Sequence, residues 1–344
     1  MKRRGFFFFF FSSSFARDKI LFATAVVIYV IIFMQSGPTV RYLTDENDCR
    51  RWWLEGPPPS DDPRVLEVLR AQYLEPPSTQ PYNLTPPKFY DEYSYPRSSF
   101  EVIGNHLTHF FSDQRSGFFV EAGAFDGEMF SNSLWLEKQL GWRGLLVEAD
   151  PDNFQLLTWK RRKAWTSNSC ISRFPYPQRT TFEALQGRSI DHPLVYRSNS
   201  RPMSSPFRKL DNKWNRNSVK SYFLAQCFPL ASYLHALNVT TVDLMILDIQ
   251  GHEWEVIQTL PFDRVTVRVM VVEYYNESPG GMINESEFSP QFASYMKKLG
   301  YHLVEYEVEN NYIMVLERDS VLMEKIRSRS LQSTRIDPVV TRNT

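Results

Sequence analysis

The sequence is poor in the residues that bind metals. It has only three cysteines, Cys49, Cys170 and Cys227, and six histidines. None of them stands at the spacing of a zinc site, so no metal is expected. It also lacks an excess of charge of either sign. Thirty-nine basic residues meet 39 acidic ones, and the formal net charge is zero. Without a basic face nothing holds a phosphate backbone, and no nucleic-acid partner is expected. No nucleophile-elbow sequence marks a serine hydrolase, and no internal repeat marks a solenoid. So few cysteines leave few pairings. In an oxidising compartment, Cys170 and Cys227 are candidates for a bridge inside one domain, and Cys49 is left to join a second copy of the chain as a homodimer; in a reducing compartment all three are buried thiols.

What the chain does have begins at its N-terminus. Lys2-Arg3-Arg4, a run of phenylalanines from Phe6 to Phe11, Arg17 and Lys19 precede an uncharged apolar stretch that closes at Gly37-Pro38. The apolar stretch falls short of the roughly 20 residues that cross a hydrocarbon core, and its uncharged flanks extend it. Cations come before it, whereas Asp45, Glu46 and Asp48 follow. The positive-inside rule then makes 20–37 a transmembrane signal anchor, with 1–19 as a cytosolic tail and the rest lumenal. A cleaved signal peptide is the alternative, but Gln35-Ser36 is a poor cleavage site. This reading places the chain in the endoplasmic reticulum or Golgi membrane as a single-pass type II protein, with the endosome or plasma membrane as further stations. Sequons at Asn83, Asn238 and Asn284 suit a lumenal location, although Pro86 weakens the first.

Many of the 22 prolines lie just beyond the anchor, as in Pro57-Pro58-Pro59, Pro76-Pro77 and Pro86-Pro87. Repeated prolines favour extended chain, so 38–99 reads as a stem. From about residue 100 the texture alternates. Short apolar runs at 117–121, 144–148, 164–172, 242–248 and 265–275 read as strands, and 131–140, 151–157, 229–237, 253–260 and 289–299 read as helices. Residues 301–308 and 312–316 straddle Asn310-Asn311 as a hairpin. The expected fold of 100–328 is α/β, a Rossmann-like doubly wound and mostly parallel sheet with a C-terminal antiparallel hairpin. Residues 173–221 are polar and without period, and read as an inserted loop; 329–344 reads as a flexible tail.

Three strand ends carry chemistry. Val120-Glu121-Ala122-Gly123-Ala124-Phe125-Asp126-Gly127 ends a strand on an acid and turns on glycines, at the edge where open α/β sheets bind ligands. The next strand ends in Val147-Glu148, where a carboxylate is placed to accept from ribose hydroxyls. Asp248, in Leu247-Asp248-Ile249-Gln250-Gly251-His252-Glu253, ends the central strand and faces the same edge or caps the following helix. His252 and Glu273 are the other candidates for moving a proton, His252 because a histidine titrates near neutrality.

In order and spacing, these motifs resemble the FkbM-type methyltransferases, a branch of the class I enzymes that use S-adenosylmethionine, from about Gly117 to Leu316. The resemblance implies that cofactor. It implies that Glu121, Gly123, Ala124, Phe125 and Gly127 hold its methionine part, that Glu148 holds the ribose, that Ser169 with its neighbours flanks the adenine, and that Asp248 lies near the methyl group. One position departs from the pattern, since Gln250 stands where the family usually has an acid. The anchor, Cys227-Phe228-Pro229-Leu230 and Val272-Glu273-Tyr274 further resemble a type II membrane branch of this family. That branch is associated with moving EGF-like ligand precursors out of the endoplasmic reticulum, which implies such membrane-anchored precursors as partners.

Overall fold

The computed structural model describes residues 56–86, 98–186, 199–205, 219–278, 282–284, 288–307 and 310–333. Residues 1–19 and 20–37, expected to be a cytosolic tail and an anchor, and Cys49 lie outside the described residues, and among those described no helix is long and apolar enough to cross a membrane.

A seven-stranded sheet organises the domain. β1 (Phe118–Ala122), β2 (Arg143–Glu148), β3 (Trp165–Asn168), β8 (Thr241–Leu247) and β9 (Thr266–Glu273) run parallel, and β12 (Tyr301–Glu307) and β13 (Asn311–Leu316) close one edge antiparallel, in the order β12-β13-β9-β8-β1-β2-β3. The parallel strands are nearly continuous apolar runs because both faces are covered. Phe119, Leu146, Leu244 and Ile246 face a core shared with Ile103, Leu107, Phe110 and Leu136. Their alternates Val120, Leu145, Val147, Met245 and Leu247 pack on the opposite face with Leu230, Tyr233 and Phe292.

The helices follow from ordinary end signals. α3 (Leu134–Leu140) stops at left-handed Gly141, α4 (Pro151–Lys160) starts at Pro151 behind an Asp150 cap, and α7 (Pro290–Lys298) starts behind Ser289. α5 (Leu230–Leu237) and α6 (Glu253–Gln258) lie near their expected places. Within residues 98–333, two helices had no expected counterpart, α2 (Ser98–Phe111) and α8 (Ser320–Ser333), the second running beyond the point where a flexible tail was expected.

Two expectations need correction. Residues 57–86 are not a free stem. Pro63 opens helix α1 (Pro63–Val68), a π turn continues over Leu69–Tyr73, and Leu69 is fully buried in the core. Glu75 exchanges backbone hydrogen bonds with Thr166 on β3, which covers that edge of the sheet. Proline density hid the apolar spacing of Val65, Leu69 and Leu74. Leu69→Ala is therefore expected to lower the unfolding free energy by about 2–5 kcal/mol in a denaturant titration; a change under about 0.5 kcal/mol would restore the stem.

The insert is also ordered in part. β5 (Gln178–Gln186), β6 (Asn199–Pro202) and β7 (Val219–Phe228) form a second sheet with the short β4 (Cys170–Ile171), in the order β4-β7-β5-β6. Cys170 and Cys227 form a disulfide between β4 and β7. Basic residues and prolines around these strands masked the alternation of Phe182 and Ala184 against Thr181 and Glu183. Residues 187–198 and 206–218 of the insert lie outside the described residues.

Candidate functional site

The chain winds from β1 through β2 to β3 on one side and resumes at β8 on the other side of β1. At such a switch point the loops after neighbouring strands separate and leave a crevice at their carboxyl ends. Here the loops after β1, β2, β3 and β8 border a cleft of about 50 Å³, lined by Gly123, Glu148, Ser169, Phe182, Pro202 and His252 among others. Glu121, Asp248 and Glu273 stand at the same rim but do not line this cleft.

The glycine loop is fixed by backbone bonds. The amides of Gly123 and Ala124 both donate to the Val147 carbonyl at 3.0 Å, and the Asp248 amide donates to Ala122. Gly123 has φ +84°, and a Cβ there would collide with the Asp248 carbonyl oxygen. Only glycine lets this loop approach the end of β8 so closely.

Glu148 is 6% exposed. Its Oε2 accepts from the Phe125 amide at 2.8 Å, and its Oε1 from the Asp150 amide at 2.9 Å. Burial pushes this carboxyl up to about 8, against the pull of the two amides. The Asn153 side chain donates to the same carboxyl, so of its four acceptor positions one is left for a ligand hydroxyl. Ser169, at the end of β3, shares its hydroxyl with Ser167 and with Tyr233 at 2.5 Å, and so braces the strand end.

Glu121 faces away from the cleft. It accepts from Ser131 Oγ, the Asn132 amide and Ser133 Oγ at 2.6–2.8 Å. Burial raises its pKa, with the Arg162 charge opposing. Arg162, which sequence reasoning missed, binds the Gly127 carbonyl, Ser131, Ser133 and the buried Glu137 from behind. Arg162 and Glu121 thus shape the loop around Gly127, which has φ +72°. The run Lys160-Arg161-Arg162-Lys163 looks like a solvated face, and the signal that could have singled out Arg162 is the pair of acids at Glu128 and Glu137. Lys160 takes Glu128 at 2.6 Å, while Arg162 takes Glu137 at 3.1 Å.

Gln250, with φ +62°, lies between two acids. Its amide donates to Asp248 Oδ1 at 2.6 Å and to Glu273 Oε2 at 3.1 Å, and Tyr275 donates to Glu273 Oε1 at 2.6 Å. Burial and the Asp248 charge raise Glu273 well above the usual carboxylate range. Glu253 accepts from the amides of Ile249 and Gly251 and so ties the loop that follows β8.

His252 departs from its expected behaviour. It is 5% exposed, touches Ser204 at 3.2 Å, and burial with the Arg173 charge pulls it down to about 4. A neutral, weakly basic imidazole results. Ser204 belongs to a short strap, 199–205, that crosses the cleft. Ser200 Oγ donates to Asp150 Oδ2 at 2.5 Å and Ser205 Oγ to the Gln250 carbonyl at 2.6 Å. Nothing in the local sequence of these serines announces that role. Among the described residues no group of acids, histidines and cysteines could hold a metal ion. Asn83 and Asn238 are exposed; Asn284 ends the short β11 (Met282–Asn284), which pairs antiparallel with β10 (Asn276–Ser278).

The family model for the methyltransferase FkbM domain matches residues 121–303, more than half of the chain. No curated protein matches. A solved structure, the N-terminal domain of human METTL16, aligns at 9% identity over 74% of this chain and 80% of that one, with a TM-score of 0.29. A likeness at that score carries no argument.

Proposed function

Because the chain belongs to the methyltransferase FkbM domain family, we propose that it binds S-adenosylmethionine at the switch-point cleft and methylates a hydroxyl oxygen on a glycan or another acceptor of the secretory pathway. The observation that carries this reading is the joining of the Gly123 turn to Glu148 through the Phe125 amide, with Ser169 beside them. A buried carboxylate with one acceptor position left fits a ribose hydroxyl. The Gly123–Gly127 loop is close enough to hold the amino-acid end.

The cofactor supplies a methyl group bound to a positive sulfur, which leaves without its bonding electrons. The acceptor hydroxyl must lose a proton to the protein as its oxygen bonds to carbon. Glu273 suits that step better than His252. Its raised pKa makes its ionised form the stronger base, whereas an imidazole held near 4 has little affinity for a proton. Asp248 sits beside Glu273 through Gln250, where it stabilises a proton taken up by Glu273.

A cleft of about 50 Å³ lies well below the roughly 300–1,000 Å³ of ligand pockets. Ligand entry therefore requires the strap at 199–205 to withdraw from Asp150 and Gln250.

The same strap, and the Gln250 amide that occupies both acids, favour a second reading: a binding role on a methyltransferase scaffold. That reading goes with the resemblance to the animal membrane protein Star and with the transport of EGF-like ligand precursors. Calorimetry on the full-length chain in detergent separates the two. Micromolar binding of S-adenosylmethionine that is lost in Gly123→Arg and weakened in Glu148→Gln supports the enzyme. No heat at millimolar cofactor would sink it. Movement of a co-expressed EGF-like precursor out of the endoplasmic reticulum would then support the scaffold.

A further inference from the structure

The end of the cleft bordered by β2 and β3 has a roof that the doubly wound sheet does not require. Phe182 of β5 is 5% exposed and lines the cleft with Val147, Ala149, Ser169 and Ile171. Its ring stacks on Phe223 of β7, with centroids 5.2 Å apart and planes 13° apart. β5 is held along its whole length by β7, from Gln178 opposite Cys227 to Gln186 opposite Val219. β7 is tied in turn to the main sheet's strand ends. Cys227 is disulfide-bonded to Cys170, the residue after Ser169, with Cα atoms 4.2 Å apart. The distance between Phe182 and the strand ends is therefore set covalently as well as by packing.

We propose that Phe182 is a nucleobase-binding residue whose ring packs against the adenine of the cofactor, and that the Cys170–Cys227 disulfide holds it there. The inference rests on the cofactor reading above. The chemistry of the walls favours a flat apolar base over a sugar or an anion. Val147, Ala149, Ile171, Phe182 and Pro202 offer carbon surface, and the acid at the cleft is Glu148. Among the described residues no lysine or arginine lines the cleft to hold an anion, whereas a nucleoside matches both ends: a ribose hydroxyl to the acid, base to the aromatic ring. β6 is the wall that can yield to admit it. It pairs with β5 only from Leu185 opposite Asn199 to Phe182 opposite Pro202.

The test is calorimetry of S-adenosylhomocysteine and of adenosine on the full-length chain in detergent. Phe182→Leu keeps apolar bulk and loses the ring; Phe182→Tyr keeps the ring. Phe182→Leu is expected to weaken both ligands by roughly tenfold or more, the scale of one base–aromatic stack, and Phe182→Tyr to bind nearly as well as the wild type. Reduction of the disulfide is expected to weaken adenosine in the wild type and to add little in Phe182→Leu. This second measurement decides the matter if Phe182→Leu proves poorly folded by its melting temperature. Wild-type binding left unchanged both by Phe182→Leu and by reduction would overturn the proposal while sparing the cofactor reading. A wild type that binds neither ligand at millimolar concentration would overturn both.

Discussion

Arg162→Met is expected to lower the unfolding free energy by about 3–5 kcal/mol, the cost of leaving a buried acid without its cation. The Arg162 side chain has no exposed surface and that of Glu137 is 1% exposed. Methionine fills much of the same volume, so the loss reports on charge and hydrogen bonds more than on a cavity. Glu137 would keep the Lys163 amide at 2.6 Å but lose its ion pair, while Ser131, Ser133 and the Gly127 carbonyl would each lose a donor. Arg162→Lys should fall between the two, since it restores charge without the planar fork that reaches several acceptors at once. Adding Glu137→Leu to Arg162→Met should recover a large part of the loss, because an apolar pair leaves no orphaned charge. Denaturant midpoints at constant slope give all three values. If Arg162→Met stays within about 1 kcal/mol of wild type, the network behind the glycine loop is not buried as described.

That network marks the boundary of what the sequence discloses. The strand ends were legible because their signals are local. Val120-Glu121-Ala122-Gly123 and Val147-Glu148 each join an apolar run to an acid, and a parallel sheet brings such ends to one edge. The alternation of strands and helices was legible for the same reason. Contacts between distant segments were not. Nothing near Arg162 says that it will be buried, because its partners lie on the loop before α3 and on α3 itself. The polar sequence of the insert hid a hairpin whose inner face carries Phe182 and Ala184, and the prolines of 57–86 hid a segment that docks through Leu69. His252 shows the same limit for chemistry. Its residue type suggests a group titrating near neutrality, but burial beneath Ser204 decides otherwise.

Cofactor affinity should rise about tenfold for each pH unit between pH 6 and about 8 and then level off. Burial raises Glu148 to about 8, so below that pH most molecules carry a protonated carboxyl there. Phe125, Asp150 and Asn153 take three of the four acceptor positions, so the proton occupies the one left for a ribose hydroxyl, and binding must first expel it. Folding stability should change in the opposite direction over the same window. A group whose folded pKa lies above its unfolded value binds more protons in the native state, so its contribution is full below the unfolded pKa and is lost as pH rises through the folded one. Glu253, also pushed up to about 8 by burial, adds to this loss of stability. His252 acts in the other sense and only at the acid end of the window, because a histidine held down to about 4 lowers stability as pH falls below about 6.5. Glu148→Gln separates the two effects. It should bind weakly with no slope between pH 6 and 8, while keeping the part of the stability change that Glu253 supplies. A wild-type affinity that is flat across this range would mean that Glu148 does not meet the ligand as a carboxylate.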